Sequence, residues 1–281
     1  MTLRNRRRKT LSFVMLSLTG VCAVVAVSIL FLILGTLVYN GWRSLDWNFF
    51  TKLPKPPGET GGGLANAIVG SLEIVFLATL MGLPVGFMAG VYLSEFGGKT
   101  FAFLVRYMAD LLNGVPSIVI GIFVWTVVVT RYHFSAIAGG IALALILIPI
   151  TARSTEQFMS SVPQTLREGA LALGASKWKS IATVVVPAAY RGIATGMILG
   201  VARISGETAP LMFTSLNNEF WSGGLTQPTA SLPYVIFLRA TSAYDDWHRQ
   251  AWAAGLVLLV GVLFANVAAR MILSRGIAVQ K

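Results

Sequence analysis

The side chains of Arg203 and Glu207 have the types and the spacing needed to act on a small anion. They lie four residues apart at the end of an apolar run, so a helix continuing to Pro210 would place both on one face. A guanidinium offers a planar fork of N–H donors to an oxyanion, and a carboxylate accepts a hydrogen bond from an anion that still carries a proton. The pair predicts either an anion-binding position or an ion pair that locks two helices together.

Other charged residues lie in or beside apolar runs. Arg153 follows one such run, and it is either a contact for an anion leaving on the cytoplasmic side or a basic anchor at the bilayer edge. Asp110 lies four residues after Arg106, which predicts a local ion pair on one helix. Glu73 lies inside a run without an evident partner, and its role is left open.

Residues for covalent, metal or nucleotide chemistry are not evident in this sequence. The stretch 97–100, Gly-Gly-Lys-Thr, resembles the end of a phosphate-binding loop, but Leu93 replaces a required glycine and a helix is expected before it. His133 and His248 are single and far apart, and Cys22 is the only cysteine. We therefore predict no catalytic residue, no metal site and no cofactor in this chain.

Six apolar runs are expected to position these side chains. The chain is 55% hydrophobic and 12% charged, whereas about a quarter of a soluble domain is charged. A run of about 20 apolar residues crosses the hydrocarbon core of a bilayer as a helix. The runs cover about residues 11–39, 64–93, 101–130, 135–151, 181–204 and 252–273. They predict an all-α integral membrane bundle of six transmembrane helices; the first run is too long for a signal peptide.

The distribution of basic residues predicts an orientation. The net charge is +11, and most lysines and arginines fall on the cytoplasmic side if the N-terminus is inside. Because these charges are spread over several loops, they do not indicate nucleic-acid binding. Both termini are expected in the cytoplasm. The predicted organisation is a basic N-terminus, first span and external loop (1–63), a five-span domain (64–273) and a cytoplasmic tail (274–281).

The cytoplasmic segment 152–185, between the fourth and fifth runs, predicts two short amphipathic helices. Pro163 suits a first helical turn, Gly174 ends the helix, and Ser176 can cap a second one. An apolar stripe along the first helix is formed by Leu166, Ala170 and Leu173. Such a stripe can enter a groove on a soluble partner.

This segment resembles the signature loop of ABC importer permeases. That pattern is Glu-Ala-Ala, three residues, Gly, nine residues, Ile, one residue, Leu-Pro. It is matched here by Glu168, Ala170, Gly174, Val184, Val186 and Pro187, with Gly169 replacing the middle alanine. The resemblance implies a type I permease core in which this loop docks on an ATPase. The residues it assigns to that coupling loop are Arg167, Glu168, Ala170, Gly174 and Ala175.

Two further stretches resemble phosphate importer permeases. Residues 112–121 resemble their third-span motif, and residues 206–214 with 231–233 resemble the PstA type. The resemblance implies a bacterial inner-membrane permease subunit that imports inorganic phosphate by alternating access. The implied partners are a PstC-type second permease subunit, an ATPase dimer, an external phosphate-binding protein and the lipid bilayer. Arg203, Glu207 and Arg153 are the candidate pathway residues, and Glu207 would favour protonated phosphate over sulfate.

Three alternatives remain open at this point. The same architecture could carry sulfate or molybdate. An intramembrane enzyme acting on lipid phosphates would need a cluster of catalytic residues at one depth. A passive channel would not need an ATPase-docking loop, so transport that survives disruption of that loop would favour it.

Overall fold

In the computed structural model the protein is a bundle of helices. The structure describes residues 3–275, apart from the side chains of residues 3–7, 99, 274 and 275. Within that range every regular element is a helix: α1 (Leu3–Ser44), α2 (Trp47–Thr51), α3 (Ala65–Glu95), α4 (Lys99–Gly114), α5 (Ser117–Tyr132), α6 (Ala136–Ser160), α7 (Gln164–Ala172), α8 (Lys177–Ile204), α9 (Ala209–Thr214), α10 (Leu232–Ala240) and α11 (Asp245–Arg275). The predicted cytoplasmic tail lies almost wholly outside the described residues.

Five described helices, α1, α3, α6, α8 and α11, are long and apolar enough to cross a membrane. A sixth span exists only if α4 and α5 are counted together, and these two helices are bent by 100°. The apolar run 101–130 therefore consists of two helices with a sharp bend between them. Pro116 has no N–H and pushes the preceding residue out of the helical region, and Val115 is accordingly extended. The chain thus turns between Gly114 and Ser117.

The centre of the bundle is the packing of α3 against α6. The buried side chains between them include Ile74, Ala78, Leu143 and Leu147. Lipid tails are as apolar as these side chains, so close van der Waals contact must hold the two helices together. Glycines on α3 permit that contact: a Cβ at Gly86 would lie 2.6 Å from the Thr151 Cβ and 2.8 Å from the Ile148 oxygen.

We expect Gly86→Val to reduce the amount of folded protein sharply. The added side chain would have to push α6 away, and overpacking of this kind costs about 1–3 kcal/mol or more. The measurement is the yield and thermal unfolding midpoint of the detergent-extracted protein. Gly20→Val on α1 is the matched control, because nothing lies within 4 Å of a Cβ at Gly20. Equal yields for both variants would contradict this account of the α3–α6 contact.

The ends of two spans, α6 and α8, differ from expectation. The helix α6 continues past residue 151 to Ser160, and α8 begins at Lys177. The segment between the spans is therefore shorter than the predicted 152–185. Within this added part of α6, Arg153 and Glu156 pair with each other, and both also bind charged side chains of α4.

Candidate functional site

A cavity of about 200 Å³ lies where the bend between α4 and α5 faces α6 and the turn after α8. Its polar lining consists of Asn113, Ser117, Arg203 and Glu207, and Pro116 and Ile146 are among its apolar walls. The bend creates the space, because a straight helix would carry residues 113–117 past this point. The two residues singled out for anion chemistry therefore line one cavity.

Arg203 and Glu207 reach this cavity from different backbone environments. The helix α8 ends at Ile204, and the Glu207 amide donates to the Ile204 carbonyl oxygen at 3.2 Å in the following turn. Glu207 is thus not one turn along the same helix, as the spacing suggested, because the helix stops before it. Among the described residues, neither side chain has a hydrogen bond or an ion pair. Both charges are free to contact a ligand.

The lining groups of the cavity suit a small anion that carries a proton. The Arg203 guanidinium, the Asn113 amide and the Ser117 hydroxyl can all donate hydrogen bonds. The helix α5 begins at Ser117, so its first backbone N–H groups and the positive end of its dipole lie at this wall. Glu207 supplies an acceptor. The arrangement can therefore hold an oxyanion through several donors and one acceptor.

Arg153, the third candidate, belongs to a different cluster. Its NH1 nitrogen donates to Glu156 Oε2 at 2.9 Å, and its Nε nitrogen lies 3.1 Å from Asp110 Oδ1. Arg106 donates to the other oxygen of Glu156 and to the Leu93 carbonyl oxygen. The expected local pair between Arg106 and Asp110 is therefore wrong, because α6 offers each of them a closer partner. An exit-side role for Arg153 remains a prediction.

Glu156 is the member of this ionic cluster that sequence reasoning missed. It was placed in a cytoplasmic loop together with its polar neighbours, whereas the structure buries it on α6 with 6% of its surface exposed. Its spacing of three residues from Arg153 was the available signal, since such pairs share a helix face. Its pairing with Arg106, fifty residues away, was not readable from local spacing.

The coupling loop, residues 161–180, has the predicted shape. The helix α7 ends at Ala172, Gly174 has a φ of +82° in the left-handed region, and Ser176 accepts a hydrogen bond from the Lys179 amide at 3.4 Å. Arg167 holds the loop onto the membrane helices. Its NH2 nitrogen lies 2.8 Å from Glu95 Oε1 at the end of α3 and 2.7 Å from the Met159 oxygen.

The coupling loop exposes several large apolar side chains. Leu173 is 90% exposed, and Leu166 and Leu171 are about half exposed. Glu168 is also exposed, and within the described part of the chain it has no hydrogen bond or ion pair, whereas Ala170 and Ala175 are partly covered. Two of the three residues of the predicted stripe, Leu166 and Leu173, are therefore exposed, where a soluble partner could contact them.

Two charges outside the cavity have uncommon environments. Glu73 is partly buried on α3, and among the described residues it has neither a hydrogen bond nor an ion pair. Arg239 on α10 is buried, and this desolvation lowers its pKa to about 10, partly offset by the charges of Glu219 and Asp246. Arg239 therefore stays charged at neutral pH, and its guanidinium lies 5.3 Å from the Trp247 ring centroid.

Comparison with known proteins places these features in context. The family model for the binding-protein-dependent transport system inner membrane component matches residues 82–276. The phosphate transport system permease protein PstA of Yersinia pestis is 47% identical over 86% of this chain and 83% of that protein. The PstA protein of Haemophilus influenzae is 44% identical over 94% of each chain. A bacterial ABC transporter that imports alginate has a TM-score of 0.65 at 18% identity, covering 96% of this chain and 98% of that one.

Proposed function

Because this chain belongs to the family of binding-protein-dependent transport system inner membrane components, we propose that it is the PstA-type permease subunit of an ATP-driven phosphate importer. The observation that carries the proposal is the identity of 47% and 44% to two PstA proteins over most of the chain. The family consists of transport components, so the alternative of an enzyme acting on lipid phosphates loses its basis. The exposed coupling loop argues against a passive channel.

The cavity at the α4–α5 bend supports a phosphate path. At neutral pH phosphate still carries a proton, whereas sulfate does not, so an acceptor beside donors favours phosphate. Glu207 supplies that acceptor and Arg203 the principal donor in our proposal. A permease for sulfate or molybdate would gain nothing from a carboxylate at this wall, because a fully ionised anion has no proton to donate to it.

We assign the partners from the architecture. The exposed apolar side chains on the coupling loop suit an ATPase, present as a dimer under two permease subunits. A binding protein outside the membrane would deliver phosphate, and both termini of this chain would lie in the cytoplasm. The alternating-access cycle would transmit ATPase closure through the coupling loop to the spans.

Glu73 supports a second permease subunit of the PstC type. A carboxylate about 12 Å along a membrane-spanning helix is costly when unpaired, and this chain offers it no partner within the described residues. The same face of α3 exposes Val69, Leu72 and Phe76. We propose that the second subunit covers this face and supplies a donor to Glu73.

We expect Glu73→Lys to weaken the association of the two permease subunits, because it places a cation opposite the expected donor. The measurement is the yield of the second subunit that co-purifies with this chain in mild detergent. Glu73→Gln keeps the shape of the side chain and can still form a hydrogen bond, so less of the co-purifying second subunit should be lost. Undiminished co-purification of the lysine variant would show that Glu73 faces lipid or water instead.

The test of the function itself is labelled phosphate uptake in cells that lack their own importer. The cells receive this chain together with its second permease, ATPase and binding protein. Uptake that requires ATP and is not inhibited by excess sulfate is the expected result. An assembled complex that takes up sulfate or molybdate but not phosphate would overturn the substrate and leave the permease family intact.

A further inference from the structure

Glu156 joins two helices through its two carboxylate oxygens. One oxygen accepts from Arg106 on α4, and the other accepts from Arg153 on its own helix α6 at 2.9 Å. Asp110 on α4 completes the cluster, because its Oδ1 oxygen lies 3.1 Å from the Nε nitrogen of Arg153. Two cations and two anions thus alternate, and Glu156 is the member shielded from solvent. Because Glu156 is buried, its charge is compensated by the two guanidinium groups and not by water.

The same cluster contacts the helix end that holds the coupling loop. Arg106 donates to the Leu93 carbonyl oxygen at 3.3 Å in the last turn of α3. Two residues further, Glu95 accepts from Arg167 of the coupling loop at 2.8 Å. Lys177, at the start of α8, donates to the Glu95 carbonyl oxygen and lies 4.3 Å from the Phe96 ring centroid. The coupling loop, the end of α3 and α4 are therefore connected by consecutive polar contacts.

The other end of α4 forms a wall of the cavity. Leu112 and Asn113 line it, less than one turn after Asp110. Much of α4 is otherwise unburied: Phe101, Phe103 and further large apolar side chains are exposed, and among the side chains of α4 that the structure describes only Ala102 and Ala109 are buried. The ionic cluster is thus the principal polar tie between α4 and α6. Displacement of the α6 end would carry α4, and with it the cavity wall.

We propose that Glu156 is a positioning residue that makes α4 follow the coupling loop, so that the cavity at the α4–α5 bend changes shape when the loop moves. This inference rests on the proposed function, since it assumes that an ATPase moves the loop. Glu156 does not contact the transported anion in this account. It acts through Arg106 and Arg153, and its loss would separate ATP hydrolysis from transport.

The experiment uses the complete importer, purified and reconstituted in proteoliposomes, with ATP hydrolysis and phosphate uptake measured in parallel. Glu156→Gln is expected to keep its ATP hydrolysis while transporting about tenfold less phosphate per ATP, which is within the range seen for residues that carry coupling. Asp110→Asn should show a smaller loss in the same direction, because its side chain is 56% exposed. Glu59→Gln, in the loop between α2 and α3, is the matched control and should equal wild type.

A structural role alone would give a different pattern. ATP hydrolysis and phosphate uptake would fall together, or the phosphate transported per ATP would stay unchanged in both Glu156→Gln and Asp110→Asn. Either result would overturn the proposal. If the importer with Glu156→Gln does not assemble, the phosphate transported per ATP by Asp110→Asn tests the proposal instead.

A second measurement does not depend on the substrate. Asn113→Cys, made with Cys22→Ser, is labelled by a membrane-impermeant maleimide before and after trapping the complex with ATP and vanadate. The labelling rate should change severalfold on trapping, and it should not change when Glu156→Gln is added. An equal change with and without Glu156→Gln would overturn the proposal. A normal change in a wild-type complex that fails to import phosphate would count against the proposed substrate only.

Discussion

Replacing Arg203 by alanine is expected to lower phosphate uptake at least roughly tenfold while the importer stays assembled. A hydrogen bond to a charged group contributes about 1.5–3 kcal/mol, and each 1.4 kcal/mol is about tenfold. Arg203 lines the cavity, and among the described residues its side chain has no hydrogen bond or ion pair to lose. Its removal therefore leaves no unpaired group in the fold. Uptake and the amount of co-purified complex are measured on the same membranes.

Two variants sharpen this result. Arg203→Lys keeps the charge but loses the planar fork, so it should transport at an intermediate rate. Glu207→Gln should retain uptake but lose part of the preference for phosphate over sulfate, because an amide no longer requires a protonated anion. Normal uptake by Arg203→Ala would mean that Arg203 is a structural residue and not part of the anion path. Unchanged selectivity in Glu207→Gln would remove the carboxylate from the mechanism.

The spans of this protein were largely predictable from sequence. The helices α1, α3, α6 and α11 are long apolar stretches, and hydropathy alone marks such stretches because every backbone polar group in lipid must be bonded within its helix. The coupling loop was predictable for a different reason. Gly174 and Ser176 act on their own backbone, so local chemistry determines the turn and the next helix.

A sharp bend of the chain inside an apolar run was not predictable in the same way. Residues 101–130 are apolar on both sides of Pro116, so a hydropathy average continues through the bend. Proline restrains its neighbours, but kinked transmembrane helices also contain proline, so the 100° angle depends on tertiary packing. The cavity follows from that bend. Sequence therefore identified Arg203 and Glu207 as candidates without supplying the wall of Asn113 and Ser117 opposite them.

The ionic cluster shows that residue spacing along one helix does not identify the partner of a charged side chain. Arg106 and Asp110 are spaced as a helical pair, and an exposed pair of this kind contributes only about 0.3–0.5 kcal/mol. A pair this weak is easily replaced by a partner on a packed neighbouring helix. Glu156 and Arg153 on α6 are such partners here. Charges near the ends of packed spans are therefore poorly assigned from one helix alone, because the competing partners lie on another helix.

We expect Gly174→Asp to abolish uptake and the binding of the ATPase, with little effect on the folding of this chain. Nothing lies within 4 Å of a Cβ at Gly174, so the side chain fits the isolated chain. The left-handed φ of +82° adds a strain of about 1–2 kcal/mol. The larger effect is a carboxylate beside Leu173, within the apolar surface that we assign to the ATPase. ATPase retained on washed membranes and phosphate uptake are the two measurements.

Gly174→Ala separates the two causes, because it keeps the backbone strain without the charge. It should retain part of the ATPase binding and of the uptake. Gly98→Asp is the matched control for the charge, since Gly98 is also an open position at the start of α4 and lies outside the coupling loop. An equal loss in Gly174→Ala and Gly174→Asp would mean that the turn, and not the apolar surface, limits docking. Full ATPase binding by Gly174→Asp would mean that the ATPase docks elsewhere than on this loop. Uptake that persisted without bound ATPase would favour a passive channel.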